Sequence, residues 1–352
     1  MNLVIVIRDF YPFTRPSGVI SFVNELALEI KNRGIKLTIL CLRKKGEKNE
    51  YTYKGIKIIK FNQLRLLSYK RKIQHLEPDK ILFISSLSSG IMLPLWWLLI
   101  VMLSRKFQPH YFYQTTNFLK INNRFILKHI LSIFSSRFVA SDDLYNDFVN
   151  NLNIDTKIIY PGVRSGLEKL RFHHGKGINN LGFFGHISFI KGVDVFVKLV
   201  TALPEYHFYI VAGKGSKKDN MLYNHFLQEI PFLKNMEYIG FTKNPLDIMG
   251  KCDLLILPYR EGGTILGIAQ SAIEAMAMGI PVIGTKNSAL EPLIKNGVNG
   301  FFCEGIPEII AKIKLLDSNN DLYSELSQGA IITVQQHFTI NKIADQLLEH
   351  IS

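Results

Sequence analysis

Leu254-Leu-Ile-Leu-Pro258, Tyr259-Arg-Glu-Gly-Gly-Thr264, Ala269-Gln-Ser-Ala-Ile-Glu-Ala-Met-Ala-Met278, Gly279 and Pro281-Val-Ile-Gly284 form the stretch from which the fold is read. The first piece, a short unbroken apolar run before a glycine-rich loop, reads as a buried strand. The alanine- and methionine-rich decamer reads as a helix stopped by glycine. A second apolar run then returns as a strand, which gives the repeating unit of a parallel α/β sheet. Gly262, Gly263 and Gly267 let backbone N–H groups approach a ligand closely. The helix N-terminus behind them offers free donors and a positive dipole, so an anion such as a diphosphate suits that place. Glu274 shares a small-residue face with Ala275 and Ala277 and can accept hydrogen bonds from two sugar hydroxyls. A solvated helix glutamate is the plain alternative, and the surrounding Ala and Met argue against it.

The same alternation extends in both directions. Later strands are expected at Leu181–Phe184, Phe208–Ala212, Glu237–Ile239, Leu254–Pro258, Pro281–Gly284 and Phe301–Phe302, with a closing helix over Ile340 to Ile351. Earlier ones are expected at Leu3–Ile7, Leu37–Leu42, Ile56–Phe61, Ile81–Ile84, Tyr111–Gln114, Phe138–Ser141 and Lys157–Tyr160, with an amphipathic helix from Val19 to Asn32. Between the two series, from Pro161 to Asn180, the apolar periodicity stops and glycines gather, which reads as a linker. With 352 residues the chain is too long for one ordinary core. The expected division is residues 1–162, 163–335 and a helix over 336–352 that packs back toward the first domain. Two α/β domains in series place a cleft between them, where ligands usually bind.

The hydrophobic share of 47% and charged share of 20% are those of a globular protein. Cys41, Cys252 and Cys303 lack metal-ligand spacing and read as buried fillers in a reducing compartment. Met1-Asn-Leu-Val-Ile-Val-Ile7 has no basic leader and reads as a first strand rather than a signal peptide. The apolar run Ile91 to Leu103 falls short of the ~20 residues that cross a bilayer, and reads as part of a strand, turn and core helix. The net charge of +13 lies wholly in the first half: residues 1–150 hold 23 Lys plus Arg against 10 Asp plus Glu, and residues 151–352 hold 19 of each. Such a domain seeks phosphates on lipid head groups or on an acidic acceptor. Two basic stretches stand out, Leu64 to Gln74 and Leu119 to Phe134; the second suits a helix lying on an anionic membrane, and core packing with a wet basic side also explains it. No nucleic-acid motif accompanies the charge.

Ile273-Glu-Ala-Met-Ala-Met-Gly-Ile-Pro-Val-Ile-Gly284 closely resembles the donor-site segment of the retaining glycosyltransferases of family four, which have the GT-B fold. Leu3 to Gly18, Ile158-Ile-Tyr-Pro-Gly-Val163, Phe184-Gly-His-Ile-Ser-Phe-Ile-Lys-Gly-Val-Asp194, Val211-Ala-Gly-Lys-Gly215 and Tyr238-Ile-Gly-Phe241 match further pieces in the same order. The resemblance implies two Rossmann-like domains facing across a cleft, the first binding the acceptor and the second the donor. It implies transfer from a nucleoside-diphosphate sugar, of UDP or GDP type, with retention and without a cofactor or bound metal; no Asp-x-Asp motif is present. By position, Lys191, His186 and Glu261 would be the catalytic groups, with Lys191 offsetting diphosphate charge and Glu274 holding the ribose. Gly18, Gly185, Gly213, Gly215, Gly262, Gly263, Thr264, Leu266, Gly267, Ile268 and Ala269 would complete the donor site.

Three positions depart from the family's pattern. Leu266 stands where a first Glu is usual, with Glu261 five residues earlier; His186 stands where an Arg is usual; Tyr113-Gln-Thr-Thr-Asn117 stands where a His is usual. The expected acceptor is a glycan or lipid-linked molecule of surface polysaccharide or glycolipid synthesis, met in the cytoplasm at the inner face of the membrane. A non-catalytic relative that binds a nucleotide sugar is the alternative. A nicotinamide enzyme is disfavoured, because the first strand leads into Arg8-Asp-Phe-Tyr-Pro-Phe13 rather than a Gly-x-Gly-x-x-Gly turn.

Overall fold

Asn2–Ile7 (β1) shows why these apolar runs do not alternate with polar residues: Leu3, Ile5 and Ile7 enter one core, and Val4 and Val6 enter another on the opposite face. A parallel strand covered on both sides needs apolar residues at every position. The structure, a computed structural model, describes residues 1–7, 10, 18–42, 47–61, 66–85, 107, 109–113, 124–171, 177–215, 217–260 and 267–351. It divides into two units, one of Met1–Gly162, Ile265–Gly267 and Ile340–Ser352, the other of Val163–Thr264 and Ile268–Thr339.

In the first unit β1 is joined by Lys36–Leu42 (β2), Glu50–Tyr53 (β3), Ile56–Phe61 (β4), Lys80–Ser85 (β5), His110–Tyr113 (β6), Arg137–Val139 (β7) and Lys157–Ile158 (β8). Their order is β3-β4-β2-β1-β5-β6-β7-β8, parallel except where β3 meets β4. That hairpin is absent from the sequence reading. Its four residues, Glu-Tyr-Thr-Tyr, form a part-exposed edge with no apolar run, and only the Lys54-Gly55 turn betrays it. Both turn residues have positive φ, 49° and 74°, as a two-residue hairpin turn of this hand requires.

One face of this sheet is covered by Gly18–Asn32 (α1) and the C-terminal helix Ile340–Ile351 (here α11), through Phe22, Leu26 and Ile30 and through Ile343, Ala344 and Leu347. Arg33 ties the end of α1 to α11, pairing with Asp345 and donating to the Asn341 carbonyl at 2.8 Å. The other face carries Leu66–Leu76 (α2) through Ile73, and Arg124–Ser132 (α3) through Ile130 and Leu131, followed by the short helix Asp142–Asn146 (α4). The basic stretches of the sequence therefore belong to helices packed on one and the same sheet face. Residues 119–123 and the apolar run 91–103 lie outside the described residues.

The second unit has Asn180–Ile187 (β9), Val193–Ala202 (α5), His207–Lys214 (β10), Asn220–Glu229 (α6), Met236–Tyr238 (β11), Pro245–Met249 (α7), Leu254–Leu257 (β12), Gln270–Ala277 (α8), Val282–Gly284 (β13), Gly300–Phe302 (β14), Ile306–Ser318 (α9) and Asn320–His337 (α10). All strand pairs are parallel, in the order β11-β10-β9-β12-β13-β14. Numbered from its own first strand this is 3-2-1-4-5-6, the doubly wound order, whose direction reverses between β9 and β12. Ligands of such sheets bind beyond the carboxyl ends of the strands at that reversal.

The stretch read as a linker is in large part folded. Val163 donates to the Phe338 carbonyl at 2.9 Å, Leu167 is buried in a 3₁₀ turn over Leu167–Leu170, and Arg171 donates to the Gly279 carbonyl and Ser327 Oγ at 2.6 and 2.9 Å. Polar ties to the end of α8 hold this segment, so an apolar period could not reveal it. The returning helix begins at Ile340 rather than at residue 336, because α10 runs on to His337. The three cysteines are buried. Burial pushes the Cys303 thiol up to about 12, and pushes Cys252 up as well.

Candidate functional site

Beyond the carboxyl end of β9 the chain turns through Ser188 to Lys191 and enters α5 at Gly192, which holds φ 69°. The Lys191 backbone N–H donates to Ser188 Oγ at 3.3 Å, and Gly192 N–H donates to the Phe189 carbonyl at 3.1 Å. Glycine is required at 192 twice over. The left-handed φ disfavours a side chain, and a Cβ would stand 2.8 Å from the Pro258 carbonyl carbon and closer still to its oxygen. That close approach brings the segment after β12 against the turn after β9, the two strands flanking the reversal of the sheet.

Arg260 binds these loops further. The Arg260 backbone N–H donates to the Ile190 carbonyl at 2.8 Å. The Arg260 guanidinium grips both carboxylate oxygens of Asp194 at 2.9 and 2.8 Å, donates to the Phe189 carbonyl, and lies 3.8 Å from the Phe189 ring centre. Burial would raise the Asp194 carboxyl, and the Arg260 pair outweighs it and holds the group below its usual range. Between the loops sits Tyr259, 3% exposed, with its hydroxyl bonded to Ser271 in the first turn of α8. Burial pushes that phenol up to about 12, so it stays neutral. The Lys191 ammonium stands 3.8 Å above the Tyr259 ring. Desolvation pulls Lys191 down to about 7, and no ion pair joins it to a carboxylate among the described residues. A half-buried, partly desolvated cation with no carboxylate of its own among the described residues is well suited to receive an anion.

The other expected residues of this unit gather at the same end of the sheet. His186 and Gly185 close β9, and Gly213 and Gly215 close β10, with Ala212 beside Gly185 and Gly213 beside His186 in the register. His186 stands at the strand end; partial desolvation of its ring and then the Lys191 charge lower its pKa against an opposing pull from Asp219, which favours the neutral ring. Gly215 is explained by packing, since a Cβ would crowd the Ile187 carbonyl oxygen at 2.6 Å and Asp219 at 2.7 Å. Gly185 and Gly213 are not. Neither has positive φ, and among the described residues a Cβ would meet nothing within 4 Å at Gly213 and only Phe183, at 4.0 Å, at Gly185. Both are bare backbone at the ends of neighbouring strands, demanded by neither conformation nor packing; by the register Gly213 shares a sheet face with His186, and it leaves room for a ligand beside that residue.

Ile268 and Ala269 are buried where the chain enters α8; Ala269 is its N-cap, donates to the Ala289 carbonyl at 3.1 Å, and caps no N–H with its side chain. Glu274 is half-buried between the core residues Ile273 and Ala275. Gly267 (φ 76°) is grouped with the first unit, where Gly18 opens α1. Glu261, Gly262, Gly263, Thr264 and Leu266 lie outside the described residues, as do Ser17 and residues 114–117. The sequence reading passed over Gly192, Asp194, Tyr259 and Arg260 as site residues. A glycine after the lysine was visible, but which loop it lets approach is decided only by the fold.

Comparison with known proteins now adds to this geometry. Residues 178–319 match the model of the family described as glycosyl transferases group 1. An uncharacterised glycosyltransferase of Methanocaldococcus jannaschii is 26% identical over 59% of this chain and 57% of its own length. The N-acetyl-alpha-D-glucosaminyl L-malate synthase of Bacillus anthracis is 26% identical over 44% of this chain and 39% of its own. The matched region thus spans about half the length of these curated relatives. Among solved structures, Anabaena Alr3699/HepE in complex with UDP superposes over 99% of both chains with a TM-score of 0.77 at 15% identity. From residue 178 to residue 319, then, the sequence is similar to the group 1 glycosyl transferases, and the chain as a whole has the α/β fold of two Rossmann-like units found in GT-B glycosyltransferases.

Proposed function

We propose that the protein is a retaining glycosyltransferase of family four that moves a sugar from a UDP- or GDP-sugar to a glycan or lipid-linked acceptor, without a metal ion. The observation that carries this reading is the desolvated Lys191 ammonium at the reversal of the second sheet, near enough to His186 to lower its pKa, with the bare backbone of Gly213 next to His186 in the register. In the transfer, the bond from the anomeric carbon to the diphosphate breaks, the acceptor oxygen bonds to that carbon, and the proton of the acceptor hydroxyl passes to the departing diphosphate. Charge grows on the leaving diphosphate, and Lys191 offsets it. Neutral His186 donates a hydrogen bond to the same phosphates, where an arginine would add a charge. Glu274 accepts from the ribose hydroxyls.

A thermal-unfolding scan with UDP, GDP, ADP, CMP and NAD tests this directly. One nucleoside diphosphate raises the melting temperature, because a ligand of the native state stabilises it by mass action. Gly213→Ala keeps the ligand-free melting temperature, since its Cβ meets no described atom within 4 Å, yet loses most of the nucleotide's shift. Stabilisation by no nucleotide sinks the donor site. Binding without turnover of any sugar donor favours the non-catalytic relative.

The basic first unit supports a second part of the proposal, peripheral contact with the anionic inner face of the plasma membrane from the cytoplasm. No helix among the described residues is long and apolar enough to cross a membrane. On α3, Phe125 is 74% exposed and leans on His129, with Lys128 exposed beside them. On α2, packed on the same face, Arg71 and His75 are exposed. Full-length protein should sediment with mixed phosphatidylglycerol–phosphatidylcholine vesicles and not with phosphatidylcholine alone. Lys128→Glu changes the charge by two and should weaken the partition roughly thirtyfold, at about 1 kcal/mol for each charge near such a surface. Binding that ignores both salt and Lys128→Glu defeats the assignment.

A further inference from the structure

The two loops at the reversal of the second sheet are tied more firmly than loops need be. Gly192 permits backbone contact with Pro258, Arg260 N–H reaches the Ile190 carbonyl, and the Arg260 side chain spans the gap to Asp194 and Phe189. Among the described residues the Arg260 guanidinium donates to Asp194 and to the Phe189 carbonyl, so its charge is paired within the protein. What its loop carries forward is Tyr259, whose hydroxyl is bonded to Ser271 and whose ring face is capped by the Lys191 ammonium.

We propose that Arg260 is a positioning residue: by clamping the segment after β12 to the turn after β9 through Asp194, Phe189 and Ile190, it seats the Lys191 ammonium on the face of Tyr259 and fixes where the donor-site cation stands. The proposal rests on the reading of Lys191 as that cation. The geometry explains why a fork-shaped guanidinium is used. Two parallel bonds to one carboxylate set both distance and angle, while the flat cation stacks on Phe189, and an ammonium can do neither. It also explains why a lysine on an exposed turn, between Ile190 at 46% exposure and a glycine, is held in dry surroundings. The charged and titratable groups around it are His186 on β9, Asp219 next to His186, Asp194 on α5, and Tyr259 and Arg260 after β12.

Opening the clamp lets water reach Lys191, so its titration moves up toward that of an ordinary lysine. Trace acetylation of the full-length protein at a series of pH values, read peptide by peptide by mass spectrometry, follows that titration with no nucleotide present. The same variants are then titrated with UDP or GDP, whichever stabilises the wild type. Arg260→Ala is expected to raise the Lys191 labelling midpoint by at least one pH unit and to weaken nucleotide binding roughly five- to tenfold, the discounted worth of a part-exposed charge-assisted pair. Arg260→Lys should restore part of the binding and little of the midpoint, and Asp194→Asn should match Arg260→Ala. Should Arg260→Ala fail to fold, Asp194→Asn, which keeps the shape of the pair, carries the test. An unmoved midpoint with weakened binding would mean that Arg260 touches the nucleotide itself, and overturns the proposal. An unmoved midpoint with unchanged binding overturns it as well. The acetylation profile is independent of the donor, so wild-type protein that binds no nucleotide defeats the functional reading and leaves the clamp to be decided by the midpoints alone.

Discussion

Under the proposed function, Lys191→Ala lowers turnover of the nucleotide-sugar donor by roughly two to three orders of magnitude, the usual effect of deleting one preorganised partner of a transition-state charge. The loss falls mainly on kcat, because the charge on the leaving diphosphate grows as the anomeric bond breaks, and a group that answers it acts most strongly there. Lys191→Arg does not restore the rate: the ammonium is a compact charge at 3.8 Å from Tyr259, and a planar guanidinium cannot occupy the same point. The stability effect runs the other way. A lysine at about 7 in the folded protein and 10.5 when unfolded binds fewer protons folded than unfolded across that window. Stability therefore rises with pH between the two values, and at neutral pH the buried ammonium is a cost. Lys191→Met accordingly melts at a higher temperature than the wild type at pH 7, and the gap narrows toward pH 10. Activity lost together with a lower melting temperature would make Lys191 a structural residue. Activity retained by both variants would remove it from the mechanism. Such a trade between stability and a poised charge is expected where function needs an unsatisfied group.

The periodicity of the chain placed every strand of the second sheet within three residues at either end, because a parallel strand buried on both faces has no freedom to be polar. Leu254–Leu257 is read correctly for that reason, and so is β1. Elements with little apolar surface were not readable. β3 is a part-exposed edge of Glu, Tyr and Thr, and the 3₁₀ turn before Arg171 is held by hydrogen bonds to Gly279 and Ser327. The candidate site divides along the same line. Residues that a ligand's chemistry demands at fixed offsets, such as Lys191 and the glycines at strand ends, leave a local trace. Tyr259, Arg260 and Asp194 are joined only because β9 and β12 are neighbours in space though 66 residues separate Arg260 from Asp194. No local pattern encodes such a pairing. It follows from the doubly wound order, in which strands one and four lie side by side.

Gly192→Ala tests that neighbourhood with the smallest possible change. A methyl group at residue 192 meets two penalties. At φ 69° an L-residue loses about 1–2 kcal/mol to its own backbone. The added carbon also falls on the Pro258 carbonyl, a main-chain group that cannot rotate away, and overpacking of this kind costs about 1–3 kcal/mol. Together they amount to about 3 kcal/mol, which in a unit of this size lowers the melting temperature by roughly 10 °C. Gly166→Ala separates the two parts. Gly166 has φ 85° and open space around it, so alanine there incurs the backbone penalty alone and the melting temperature falls by only a few degrees. The excess at residue 192 measures how tightly the two loops close, and equal losses at the two positions would mean that they do not. A folded Gly192→Ala protein relieves its clash by parting the loops. It should then show the signs expected of a broken Arg260–Asp194 pair, a raised Lys191 titration and weakened nucleotide binding, although no charged residue has been changed.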